Sequence, residues 1–383
     1  MANIAVLFIG IGDVSGGGGA ERFFADFFTD YKNDGTKHNL FLLTDNSSIA
    51  QFNKISKITD PKNVLLFKTW NNRFKDWLEF RSVSKIIKRE KISLIMIPLY
   101  NIYYYPLIKR IDKMPGSIRP KIVPVIVDYN ISYYYFNTEE KRYNFKNTFG
   151  SLFENIQIDA VITWYESFKL FCEKHKVITS APPVYTVNSR YSPPSGIMPY
   201  SQKKNHIVFA GRLTDTKRPM WFLEAIKLIS DKVKEWKFFV YGKGPLESEI
   251  KKYVSENNLD SLITVTSHKN PKEVFLHSKC FVSTQDFENF PSLAMNEAMG
   301  TGNAIIARNV GQTNLFVKNG YNGFILEEDS VKGLAGKMME YIQLSDTEKE
   351  NMGKNSNVLT TTVHTYKNFK TQMESIWDSI LNA

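Results

Sequence analysis

Short apolar runs rich in Val, Ile and Phe recur along this chain, with helical patterns between them. NIAVLFIG, HNLFLLTD, ISLIMIPL, KIVPVIVDY, DAVITW and PVYTVN occupy the first half. NHIVFAG, KFFVYG, LITVTS, CFVST and NAIIARN occupy the second. Apolar and polar residues scarcely alternate within a run. A strand with one wet face alternates, whereas a strand covered on both faces does not. Strands of this kind, interleaved with helices, predict parallel sheets in a doubly wound α/β fold.

The stretch SRYSPPSGIMPYSQKKN is dominated by Pro, Ser, Gly and Lys and interrupts the alternation. It divides the runs into two sets, each sufficient for one Rossmann-like sheet. The expected organisation is an N-terminal domain over 1–190, a linker over 191–205 and a C-terminal domain over 206–360. A helix over 361–383 is expected to pack back across the domains. The 383 residues are 43% hydrophobic, which is enough for two cores, and the 14% aromatic content speaks against disorder.

The formal charge of +10 suits nucleic acid, an anionic membrane surface or phosphorylated substrates, and equally suits ordinary solubility. Cys172 and Cys280 lie in apolar settings and read as reduced core thiols of a cytoplasmic protein. The first apolar run lacks a basic leader and enters a glycine loop, so it reads as a strand and not as a signal peptide. No run has the length to cross a bilayer.

In IAVLFIGIGDVSGGGGAERFFADFFTDY a strand feeds four glycines and then a helix, with Phe23, Phe24, Phe27, Phe28 and Tyr31 on one face. Glycines let a ligand approach the backbone, and the helix N-terminus favours an anion. A dinucleotide fingerprint fits poorly. Gly10 and Gly12 match, but Ser15 stands where a third glycine belongs, and Asp45 is only a nearby acid for a ribose.

In IVFAGRLTDTKRP a buried strand ends at Gly211, and Arg212 and Lys217 follow on the loop. Ligands of open α/β sheets bind beyond the carboxyl ends of strands. Two cations there can hold a diphosphate, although a lone pair of solvated cations would look the same. Gly242 and Gly244 follow the next strand. In ENFPSLAMNEAMGTG, Pro291 suits the first turn of a helix that Gly300 and Gly302 terminate. Glu288 falls on the loop before that helix and Glu297 within it. Carboxylates there can accept hydrogen bonds from sugar hydroxyls. Taken singly, Glu288 reads equally as a capping acid and Glu297 as an exposed helix position.

GGGGAERF, FAGRLTDTKRP, VYGKGPL and ENFPSLAMNEAMGTGNAIIARNVGQTNLFVKNGYNGFIL occur in this order. As a set they resemble the family-4 retaining glycosyltransferases of GT-B architecture, of the bacterial polysaccharide and glycolipid type. The resemblance covers most of the chain and is strongest over 16–28 and 207–326. It implies two Rossmann-like domains facing a central cleft, with the acceptor held by the first and a nucleotide-sugar by the second. It assigns Arg212 and Lys217 to the donor diphosphate, Glu288 to the donor sugar and Glu297 to the ribose hydroxyls.

By the same resemblance, Gly17, Gly18 and Gly19 approach the donor phosphate, and Asn289, Phe290, Pro291 and Ser292 meet sugar and phosphates largely through backbone. Gly211, Gly242, Gly244 and His268 line the donor pocket. Asp128, where the family often has histidine, and Tyr133 fall on the acceptor side. The interval from Glu288 to Glu297 is one residue longer than the family's usual spacing.

The implied reaction is a metal-independent, cofactor-free, front-face hexosyl transfer with retention of configuration. The donor is a UDP-sugar, or alternatively a GDP-sugar, and the acceptor is a saccharide, polymer or lipid-linked sugar. Two readings stand for the basic, aromatic stretch over 70–90. It meets an anionic membrane as a peripheral element, or it packs on its sheet with solvated lysines outside. A nucleotide-sugar 2-epimerase is the alternative enzyme. A nucleic-acid-binding protein is the non-enzymatic alternative, although no nucleic-acid recognition motif appears and nucleic acid is not an expected partner.

Overall fold

The computed structural model describes residues 1–9, 19–32, 36–55, 61–69, 74–99, 105–126, 155–175, 181–189, 196–267 and 271–383. They form two compact units, Met1–Asn188 with Phe369–Ala383, and Ser189–Asn368. In the first unit, parallel strands lie in the order β3-β2-β1-β4-β5-β6-β7. These are β1 (Asn3–Phe8), β2 (Asn39–Asp45), β3 (Val64–Phe67), β4 (Ile92–Leu99), β5 (Lys121–Ile126), β6 (Val161–Thr163) and β7 (Val184–Thr186). The associated helices are α1 (Gly19–Lys32), α2 (Asn46–Ile55), α3 (Lys75–Arg89), α4 (Tyr105–Asp112) and α5 (Glu166–His175).

The second unit orders its parallel strands β10-β9-β8-β11-β12-β13. They are β8 (His206–Ala210), β9 (Lys237–Tyr241), β10 (Ile263–Thr266), β11 (Cys280–Ser283), β12 (Ala304–Ala307) and β13 (Gly323–Ile325). Its helices are α6 (Pro219–Ile229), α7 (Glu247–Glu256), α8 (Pro271–His277), α9 (Leu293–Gly300), α10 (Val331–Gln343) and α11 (Asp346–Thr362). The last helix, α12 (Tyr366–Asn382), belongs from Phe369 onward to the first unit. Both units are therefore α/β, with parallel, doubly wound sheets.

The apolar runs form strands because each is covered by helices. Every residue of β11 and of β12 is buried. The aromatic face of α1 is buried as its spacing predicts, with Phe23 and Phe27 each 4.9 Å from the ring of Phe369. Two strands escaped the sequence reading. β3 and β13 are short edge strands, and neither presents a long apolar run.

Asp45 is the last residue of β2. Its carboxylate accepts hydrogen bonds from the main-chain N–H groups of Ser47 and Ser48, at 2.8 and 3.0 Å, and so caps α2. Cys280 is a free, buried thiol whose pKa is raised by burial. The side chain of Cys172 lies outside the described residues. Among the described residues no helix is long and apolar enough to cross a membrane.

Candidate active site

In the second sheet the chain runs outward from β8 to β10 and then returns to place β11 beside β8. The loops leaving adjacent strands β8 and β11 diverge at this switch point, the usual ligand crevice of such sheets. Arg212 and Lys217 lie on the first loop, and Glu288 lies beyond the second strand.

The β8 loop is pinned on both sides. Toward β9, Leu213 N–H donates to the carbonyl of Lys243 at 2.9 Å, and Leu246 N–H donates to that of Leu213 at 3.2 Å. A Cβ on Gly242 would overlap the Gly211 carbonyl, and one on Gly244 would overlap the Leu213 backbone. Both glycines are thus required by close backbone packing, whatever else they contact. Toward β11, the Thr284 hydroxyl lies 2.8 and 2.9 Å from the carbonyls of Lys217 and Arg218, and Asp286 N–H donates to Thr216 at 3.0 Å. Arg212 is exposed, and the Lys217 ammonium donates to the side-chain oxygen of Gln285.

Glu288 is only 7% exposed. One carboxylate oxygen accepts from Phe290 N–H at 3.0 Å and Gln312 N–H at 2.6 Å. The other has no hydrogen-bond partner among the described residues. Burial pushes this carboxyl up to about 7, against the lowering effect of the backbone N–H groups. Gly311, at φ 51°, passes so close that a Cβ there would overlap the carboxylate.

Asn289 is fully buried. Its amide donates to the Arg308 carbonyl at 2.9 Å and to the Thr313 hydroxyl at 2.6 Å, while its oxygen accepts from Ser283 at 2.7 Å. Its side chain holds the loop. Phe290 packs its ring 5.1 Å from that of Phe316. Pro291 does not open α9, because the helix begins at Leu293, two residues further on. Ser292 is the cap, accepting from Met295 N–H at 3.3 Å. A turn between the two glutamates is closed by Ser292 N–H on the Asn289 carbonyl, at 2.9 Å. Glu297 is 2% exposed within α9, not an exposed helix position.

The sequence reading missed a charge network around the β11 loop. Arg308 follows β12 and is 4% exposed. It donates to both oxygens of Asp329, each at 2.6 Å, and to Asp286 at 3.0 Å. Asp286 also pairs with Arg218. A cation just past a buried strand was the available signal, the same one that singled out Arg212. Gly19 opens α1 in the other unit. Gly17, Gly18, Asp128, Tyr133 and His268 lie outside the described residues.

Residues 198–358 match the family model described as glycosyl transferases group 1. The GtfA subunit of a UDP-N-acetylglucosamine–peptide N-acetylglucosaminyltransferase from Streptococcus agalactiae is 26% identical over 226 residues, 56% of this chain and 42% of the relative. A UDP-Gal:α-D-GlcNAc-diphosphoundecaprenol α-1,3-galactosyltransferase from Escherichia coli is 32% identical over 135 residues, 34% of this chain and 35% of the relative. The matched region thus spans less than half of either curated relative.

Among solved structures, a variant of S. aureus TarM in complex with fondaparinux, α-GlcNAc-glycerol and UDP superposes with TM-score 0.71 at 12% identity, covering 100% of both chains. Anabaena HepE in complex with UDP-glucose gives TM-score 0.69 at 15% identity, covering 99% of this chain and 100% of HepE. These likenesses establish a shared fold.

Proposed function

We propose that this chain, carrying a glycosyltransferase group 1 domain, moves a sugar from a UDP-sugar to a saccharide, polymer or lipid-linked acceptor. The observation that carries the reading is the switch point between β8 and β11. There Arg212, Lys217 and the start of α9 supply positive potential beside the buried carboxyl of Glu288. The relatives whose names specify UDP-GlcNAc and UDP-Gal, and the solved structures holding UDP, favour UDP over GDP.

The departing UDP gains negative charge as the glycosidic bond breaks. Arg212 and Lys217 therefore act most strongly in the transition state, and the transfer proceeds with retention through front-face attack. Glu288 presents its unpartnered oxygen to a hydroxyl of the donor sugar. Glu297 completes the donor site within the second unit. The domain limits are 1–190 and 206–360, joined by 191–205. The exposed face of α3 meets an anionic membrane.

Calorimetric titration with UDP, GDP and ADP, without added metal, tests the donor site. UDP is expected to bind, and the Arg212→Ala/Lys217→Ala protein is expected to lose at least about tenfold in affinity. Absence of UDP binding by the natural protein would overturn the reading. Product analysis with UDP-sugars separates transfer, which needs an acceptor, from epimerisation, which does not.

A further inference from the structure

We infer that the Arg218–Asp286 ion pair is a clasp that closes a strained turn and thereby positions Lys217 for the donor diphosphate. The inference rests on the donor site proposed above. Arg218 adopts φ 46° and ψ 52°, the left-handed region, at the entrance to α6. Glycine occupies this region freely, whereas a residue with a Cβ is disfavoured there. An arginine in such a turn has to be held.

The holding contacts are on the side chain. The Arg218 guanidinium pairs with Asp286 and lies 4.7 Å from the ring centroid of Trp221. Asp286 is itself fixed. Its carboxylate accepts from Arg308 at 3.0 Å, and its N–H reaches the Thr216 carbonyl at 3.0 Å. The Arg308 guanidinium also lies 4.7 Å from the Trp221 centroid and is anchored by Asp329. The clasp therefore ties the β8 loop to a rigid point behind β11 and β12.

Lys217 is the residue immediately before the strained position, so the direction of its side chain follows the turn. The pairing has an electrostatic consequence as well. Two adjacent cations repel, and pairing Arg218 with Asp286 relieves that repulsion at Lys217. Arg218 and Asp286 are thus positioning residues that act through Lys217.

Arg218→Gly separates this role from a merely structural one. Glycine takes the left-handed turn without strain but cannot form the clasp. The melting temperature should stay level or rise, while UDP affinity falls about tenfold because the cation is no longer preorganised. Asp286→Asn should weaken UDP similarly. In the Lys217→Met background, Arg218→Gly should have no further effect on UDP binding. Unchanged UDP affinity in Arg218→Gly would overturn the clasp and leave the donor site standing. So would additive losses in the cycle, which would make Arg218 a direct ligand, or a parallel fall in stability and affinity. If the natural protein binds no UDP, the donor site fails and the clasp fails with it.

Discussion

A carboxyl group buried with one oxygen unpaired holds its proton tightly, even where main-chain N–H groups on the other oxygen pull the opposite way. Glu288 is such a group, with a pKa raised from 4.5 to about 7 chiefly by burial. An unfolded glutamate releases its proton near pH 4.5, and the folded one keeps it until about pH 7. The folded state therefore binds the extra proton between these values. The associated stability is complete below about pH 4.5 and is lost as pH rises through 7. A shift of this size corresponds to on the order of 3 kcal/mol. Glu288→Gln should therefore stabilise the protein by about 1–3 kcal/mol at pH 8 and by much less at pH 5, measured by urea unfolding at both pH values. A difference between the two proteins that does not vary with pH would show that Glu288 is not the proton-linked group. Gly311 belongs to the same argument, since only a residue without a side chain can pass the carboxylate there.

At the scale of the element, α3 presents two opposite faces. Glu79, Val83, Ile86 and Ile87 are buried. Starting at the cap residue, Phe74, Trp77, Arg81, Lys85 and Lys88 recur every three or four residues and all are exposed, Phe74 at 55% and Trp77 at 47%. The Arg81 guanidinium lies 5.4 Å from the Trp77 ring centroid. The neighbouring α4 adds exposed Lys109 and Arg110. Aromatic side chains in line with cations are the composition of a helix that lies in an anionic lipid interface. We expect the protein to float with vesicles rich in phosphatidylglycerol, to be released by salt, and to lose most of that binding in Trp77→Ala/Arg81→Glu. Failure to float, or equal flotation of the variant, would return α3 to the reading of a packed helix with solvated cations. α9 illustrates the opposite case. It is buried from Met295 to Met299, and its ends are set by the Ser292 cap and by Gly302 at φ 76°.

At the scale of the molecule, the chain returns to its first unit through α12. Trp377 is fully buried, 5.6 Å from the Tyr31 ring, with its indole N–H directed to the sulfur of Met96 at 3.3 Å. Trp377→Ala should cost about 3–5 kcal/mol. If the two units unfold separately, calorimetry should show only the first unit's transition moving to lower temperature. A single transition that shifts as a whole would mean that the units unfold as one. The parallel α/β character of both sheets, the aromatic face of α1 and the strand-end positions of Arg212, Lys217 and Glu288 were all legible in the sequence. Each depends on local period and order, which the residues carry themselves. The edge strands β3 and β13, the cap role of Asp45, the burial of Glu297 and the Arg218–Asp286–Arg308 network were not legible. Those features arise where residues far apart in the chain meet. Arg308, just past β12, reaches Asp286 because β12 lies beside β11, and reaches Asp329 because β12 lies beside β13 on its other side. Whether a charge is solvated, paired or buried is decided by what the fold brings against it, and only the tertiary structure supplies that partner.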